Sequence, residues 1–158
     1  MQLFPSNAGI SLMRGILMLL KDNNGVMDVS QLADESEQNV DNLLPLIESC
    51  KILGLATVKN GQIHLTKDGN ELNIKNFSQV LSKKLASVEP FKSSIAIVGR
   101  SVRGLTTEAL ASNLLKSGIM IHGDSKMNEA LLKSMLLKWA VRTNMLTYTE
   151  EDDTWKIV

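Results

Sequence analysis

Two stretches lying 91 residues apart share one pattern: a helix-spaced apolar run that exits into two short β-prone segments joined by a tight polar turn. The first leads from Val40 through Leu43, Leu44 and Ile47 to Leu55-Ala-Thr-Val58, turns at Asn60-Gly61 and returns through Gln62-Ile-His-Leu65. The second leads from Leu131 through Met135 and Lys138 to Leu146-Thr-Tyr-Thr149, turns over Glu151-Asp152-Asp153 and returns through Trp155-Lys-Ile-Val158. Each follows two shorter helical stretches, and three helices closed by a hairpin describe a winged helix. The expected fold class is therefore mainly α with small β-hairpins (α+β), arranged as tandem winged-helix domains. The boundaries read as 1–72 for the first domain, 73–89 for a bridging helix and 90–158 for the second. At 158 residues each copy has about 75, and a domain that small buries only roughly 60% of its surface, so the copies are expected to pack together.

The local signals follow the same plan. Ser6 is the expected cap of a first helix whose apolar residues Ile10, Met13, Leu17 and Leu20 keep helical spacing, and Asn23-Asn24-Gly25 ends it. Asp28 with Gln31 has the form of a capping box opening a short helix through Leu32 and Ala33. A third helix begins near Ser36 or Asn39 and reaches Lys51, with a bend expected at Pro45 because proline lacks the backbone donor. Asn60-Gly61 is a strong hairpin signal, since both residues tolerate the positive φ of a type I′ turn. From Thr66 a helix extends over Lys67 to Val88, broken near Asn73, with Leu72, Phe77, Leu81 and Leu85 on its apolar side. Pro90 marks the next boundary. A helix through Phe91, Ile95, Ile97 and Val98, a short one from Thr106 or Thr107, and a long one capped by Asp124 or Ser125 and running to about Thr143 complete the second half. Tyr148 and Trp155 suit cross-strand pairing in the closing hairpin.

Leu3-Phe4-Pro5, Asp28-Val-Ser-Gln-Leu-Ala33, Leu43-Leu-Pro-Leu-Ile-Glu48, Leu53-Gly54-Leu55, Gly61-Gln-Ile-His-Leu-Thr66 and Gly69, in that order, resemble the C-terminal AAA-associated domain. That domain is appended to ATP-binding subunits of nitrate, sulfonate and bicarbonate type ABC transporters and also occurs free-standing in archaea and bacteria. The resemblance spans nearly the whole chain. Family members carry Trp-Gly-Arg-Tyr-Ala-Glu-Leu-Phe with Tyr-Asp two residues on; here the stretch reads Trp139-Ala-Val-Arg-Thr-Asn-Met-Leu146 with Tyr148-Thr149, keeping the Trp and the Tyr but not the Gly-Arg-Tyr core. The resemblance implies a regulatory or docking module linked to transport, with an ABC-transporter ATPase subunit as partner.

The residues themselves argue against catalysis. Gly99-Arg-Ser-Val-Arg-Gly104 has two glycines at phosphate-loop spacing but no lysine after the second. His64 and His122 have no ligand-type neighbours at metal spacing, and His122-Gly-Asp124 reads as turn chemistry. Glu150-Glu151-Asp152-Asp153 lacks a calcium-loop pattern and reads as a solvated hairpin tip. Cys50, the single cysteine, sits among Leu46, Ile47 and Leu53 and reads as a buried, inert thiol. No catalytic residue, cofactor or metal site is expected. The longest early apolar run, Ile16-Leu-Met-Leu-Leu20, falls far short of the roughly 20 residues that cross a bilayer, and Met1 to Pro5 has no leader-like composition. A cytoplasmic, non-enzymatic protein is the expectation.

What remains is binding. Net charge is zero but uneven: residues 1–72 hold five Lys or Arg against nine Asp or Glu, and 73–158 hold twelve against eight. As an alternative function, a winged-helix DNA-binding regulator would need cations on its third helix. The first copy offers Lys51 and the second Lys126, Lys133, Lys138 and Arg142, but the second hairpin tip is acidic, which opposes phosphate. A protein-interaction platform suits the chain better. The first helix has more apolar circumference than a monomer needs, with Leu3, Phe4, Leu12, Met18 and Leu19 beyond one face, and these together with Trp139 and Tyr148 form the expected interaction surface. A homodimer through that helix is compatible with it, and eight methionines suit an adaptable interface.

Overall fold

A computed structural model describes residues 2–158; Met1, which opens the first domain as read from sequence, lies outside the described residues. The fold is α+β: among the described residues there are eight α-helices, one π-helical turn and five strands in two small antiparallel sheets. The chain divides into two compact units, residues 7–77 and residues 2–6 together with 78–158.

In residues 7–77 the order is α1 (Ile10–Asp22), β1 (Val26–Asp28), α2 (Val29–Ser36), α3 (Val40–Ile52), β2 (Ala56–Lys59), β3 (Gln62–Leu65) and α4 (Lys67–Glu71). Met13, Leu17 and Leu20 of α1 are buried together with Leu32, Leu43, Leu46, Cys50, Leu55 and Ile63. Burial of each leucine contributes about 1.5–3 kcal/mol. Asn60 and Gly61 have φ of +52° and +74°, the geometry expected of the type I′ hairpin turn. The short strand β1 was not legible in sequence; it pairs with β3 and gives the sheet order β1-β3-β2, with Met27 opposite Ile63. Two expected caps form differently. Gly9, not Ser6, precedes α1, and Asp28 makes no side-chain cap to α2 because it ends β1, while Gln31 donates to Glu35 instead. Asn39 does cap α3, accepting from Asn42 N at 2.8 Å, and α3 continues through Pro45.

The helix expected over Lys67 to Val88 is broken about Asn73, as read from sequence, into two helices, the second ending at Leu85. Thr66 caps α4 and α5 runs Phe77–Leu85. Between them Asn73 Oδ1 accepts from the backbone N–H of Lys75 and Asn76, and Asn76 Oδ1 accepts from Asn73 N, so side chains take over the backbone bonds that a helix would have used.

The second unit comprises residues 2–6, the remainder of α5, α6 (Phe91–Gly99), α7 (Thr107–Lys116), α8 (Ser125–Met135), a π-helical turn (Leu136–Val141), β4 (Leu146–Thr149) and β5 (Thr154–Ile157). Thr106 caps α7 and Asp124 caps α8. His122 Nδ1 accepts from Asp124 N, the turn chemistry read from sequence. Residues 119–123 form a loop held by Asn128, whose Oδ1 accepts from the backbone of Ile121 and His122. Leu105 exchanges two backbone hydrogen bonds with Trp155, adding a short extended segment beside β5. Residues 2–6 belong here and not with the helix that follows them. Phe4 N donates to Glu89 O at 2.9 Å, and the Phe4 ring is buried in this unit's core.

Candidate functional site

The residues expected to form one interaction surface fall in three places. Phe4 is 2% exposed and Trp139 is fully buried, so neither is available to a partner. Their rings meet edge to face, with centroids 4.7 Å apart at 76°, and Phe4 meets Phe91 in the same manner at 5.4 Å and 71°. Edge-to-face pairing sets the positive ring edge of one against the negative face of the other, worth about 0.5–1.5 kcal/mol per pair beyond area burial. The π-helical turn widens the helix where Trp139 sits. Leu3, half-buried, bridges to Glu89 beside this cluster.

Tyr148 is committed to the hairpin. It stands opposite Trp155 in the β4–β5 register, with ring centroids 4.4 Å apart, and its hydroxyl donates to Asp153 Oδ1 at 2.7 Å. Asp153 also accepts from Thr107 Oγ1 at 2.6 Å and from Thr107 N at 3.1 Å, and Trp155 Nε1 donates to Thr107 Oγ1 at 2.9 Å. Burial pushes the Asp153 carboxyl up, but the Thr107 and Tyr148 hydrogen bonds outweigh it and hold it below the usual carboxylate range. The charge also sits at the N-terminus of α7, where the helix dipole favours it. The acidic tip is therefore not wholly a solvated run, since its last carboxylate ties the hairpin to α7. Thr107 and Asp153 are the partners that sequence reasoning missed; 46 residues separate them, and no local signal links them.

The four cations named for nucleic acid are unequal. Lys133 places its ammonium 5.1 Å from the centre of the Tyr148 ring, and the Tyr148 hydroxyl, followed by Asp153 and Glu150, raises its pKa. It is engaged with its own hairpin. Lys126, Lys138 and Arg142 are exposed.

On α1, Leu12 and Met18 are 52% and 53% exposed and Leu19 is half-buried. Six residues apart, Leu12 and Met18 point about 120° away from each other around the helix. Leu12 and Leu19 border a groove of about 290 Å³ with Ile16, Leu43, Leu46 and Gln38, whereas Met18 faces a separate cavity. Among the described residues no three His, Cys, Asp or Glu side chains gather as a metal site. Cys50 is buried, and burial pushes its thiol up to about 12, as expected of an inert cysteine. Among the described residues no helix is long and apolar enough to cross a membrane.

The model of the C-terminal AAA-associated domain matches residues 30–149. The chain belongs to this family. No curated protein and no solved structure matches it. Two positions of the AAA-associated pattern acquire a structural reason here. Thr66 accepts from Gly69 N and donates to Gly54 O, closing α4 onto the end of α3. At Gly69 a Cβ would overlap the Leu55 carbonyl oxygen and press on Leu65 Cδ2, so α4 packs this closely only with glycine there.

Proposed function

We propose that this member of the AAA-associated family is a cytoplasmic, non-enzymatic docking or regulatory module made of two winged-helix units, and that its partner is a protein. Each unit supports the winged-helix reading by its element order. In residues 7–77 three helices precede β2 and β3, and a short extended piece before α2 pairs with the hairpin; in residues 90–158 α6, α7 and α8, the last running on into the π-helical turn, precede β4 and β5, and Leu105 before α7 pairs with β5 in the same manner. The ATP-binding subunit of an ABC transporter is the partner favoured by the family's usual setting.

The observation that carries the docking reading is the half-exposed Leu12 on the lip of the α1–α3 groove, whose apolar lining includes Ile16, Leu19, Leu43 and Leu46. An exposed apolar side chain at the edge of such a groove suits contact with a protein partner. Against duplex binding stands the engagement of Lys133 by Tyr148 and three exposed carboxylates at the adjoining tip. The test is a binding titration of the chain with the purified ABC-transporter ATP-binding subunit from the same organism, run beside random duplex DNA at low salt. A complex weakened by Leu12→Glu, with negligible duplex affinity, supports the proposal. Micromolar duplex binding with a steep salt slope, and no protein complex, overturns it.

A further inference from the structure

A second concavity in residues 7–77 has a different chemistry. Its volume is about 430 Å³, within the range of roughly 300–1,000 Å³ usual for small-molecule sites, and Leu17, Met18, Leu72, Ile74 and Phe77 give it apolar walls. Ile74, in the turn between α4 and α5, is 77% exposed, an apolar side chain standing at the mouth. Around that mouth stand Arg14, Lys21 and Lys75, against the single carboxylate of Asp22.

This clustering runs against the charge of the unit. Residues 7–77 contain six cationic side chains (Arg14, Lys21, Lys51, Lys59, Lys67 and Lys75) and nine acidic ones, yet half of the cations edge this one cavity. Arg14 and Lys21 lie seven residues apart on α1, two turns along one face, with Leu17 and Met18 between them. The Arg14 guanidinium carbon lies over the Phe77 ring at 5.4 Å from its centroid, a cation–π contact. A cation–π contact holds the guanidinium in place without consuming its N–H donors, which can fork onto a carboxylate. Lys21 Nζ donates to Leu72 O, which ties α1 to the end of α4 and keeps two donors for a ligand. An apolar pocket of this size, edged by an oriented guanidinium and two ammonium groups, is complementary to a molecule with an apolar body and one anionic head.

We propose that this cavity binds a small amphipathic carboxylate, with its hydrocarbon part against Leu17, Leu72, Ile74 and Phe77 and its carboxylate forked by Arg14 and approached by Lys21 and Lys75. The proposal is independent of the protein partner argued above. It assigns the module a ligand site that a docking role alone does not require.

The test uses the full chain and sodium octanoate as probe, with acetate and 1-octanol as the two half-ligands, followed by calorimetry and amide chemical shifts. Octanoate should saturate with a Kd on the order of 0.1 mM and shift the amides of Arg14, Met18, Ile74 and Phe77. Acetate and octanol should each bind at least about tenfold more weakly, because each lacks one half of the recognition. Arg14→Gln should weaken octanoate about tenfold and leave octanol unchanged. Because Arg14 also contacts the Phe77 ring, the exposed Lys75→Gln provides a second variant that leaves the fold intact; it should weaken octanoate in the same sense, while Lys51→Gln should not. Absence of saturable binding up to about 10 mM, octanol binding as tightly as octanoate, or both cavity variants binding octanoate like the parent chain would each overturn the proposal.

Discussion

Replacing Phe4 by alanine distinguishes a core placement of the N-terminal segment from a surface one. If Leu3 and Phe4 extended the exposed apolar face of α1, Phe4→Ala would change stability by no more than about 0.5 kcal/mol, as surface substitutions do. The structure instead buries the ring to 2% exposure between Phe91 and Trp139. Truncating a buried phenylalanine removes its transfer energy and leaves a cavity that the neighbours fill only in part, at about 3–5 kcal/mol. The two edge-to-face pairs account for about 1–3 kcal/mol of that total. For a chain of this length such a loss lowers Tm by about 6–20 °C. Thermal and urea unfolding followed by tryptophan fluorescence reads it directly, because Trp139 lies against the deleted ring. Leu12→Ala serves as the contrast, since that side chain is 52% exposed and its loss should lower Tm by no more than about 2 °C. Equal, small effects from the two substitutions would refute the placement of Phe4 in the core of residues 78–158.

Asp153→Ala should cost about 1.5–3 kcal/mol at neutral pH, because charge-assisted bonds to Thr107 and Tyr148 are lost and the Thr107 N–H at the start of α7 is left without its acceptor. Since the folded pKa of Asp153 lies below its unfolded value near 3.9, this stabilisation is fully present above about pH 4 and is lost as pH falls through the folded pKa. The Tm gap between parent and variant should therefore shrink in acid, and a gap that widened would contradict the assignment. Gly69→Ala should destabilise residues 7–77 by at least about 1–3 kcal/mol, as overpacking against backbone does, with hydrogen exchange rising in α4 and β2; a neutral result would show that α4 is not seated on Leu55. Cys50 should resist thiol reagents at pH 8 in the folded chain and react only on unfolding, whereas rapid labelling in native buffer would place it outside the core.

Much of the secondary structure was legible because its causes are local. Asn60-Gly61 specifies its turn through two backbone torsions, Asn39, Thr66, Thr106 and Asp124 cap helices within three residues of themselves, and Tyr148 meets Trp155 across a four-residue-per-side hairpin. Membership in the AAA-associated family was legible too, from motifs spread along the chain. The site was less so. Seven apolar or aromatic residues were read as one surface, yet two are buried, one pairs within a hairpin, and Leu12 and Met18 face different concavities. Hydrophobicity alone does not distinguish a side chain that fills a core from one that waits for a partner.

From residue order alone came the α+β class, the pattern shared across 91 residues and the helix caps at Asn39, Thr66, Thr106 and Asp124, since caps, turns and apolar spacing act over three or four positions. Tertiary structure decided that Phe4 joins Phe91 and Trp139, that Asp153 reaches back 46 residues to Thr107, and that Arg14, Lys21 and Lys75 crowd one mouth. Those contacts unite positions far apart in the chain, and their energy depends on burial and distance, which no local pattern encodes.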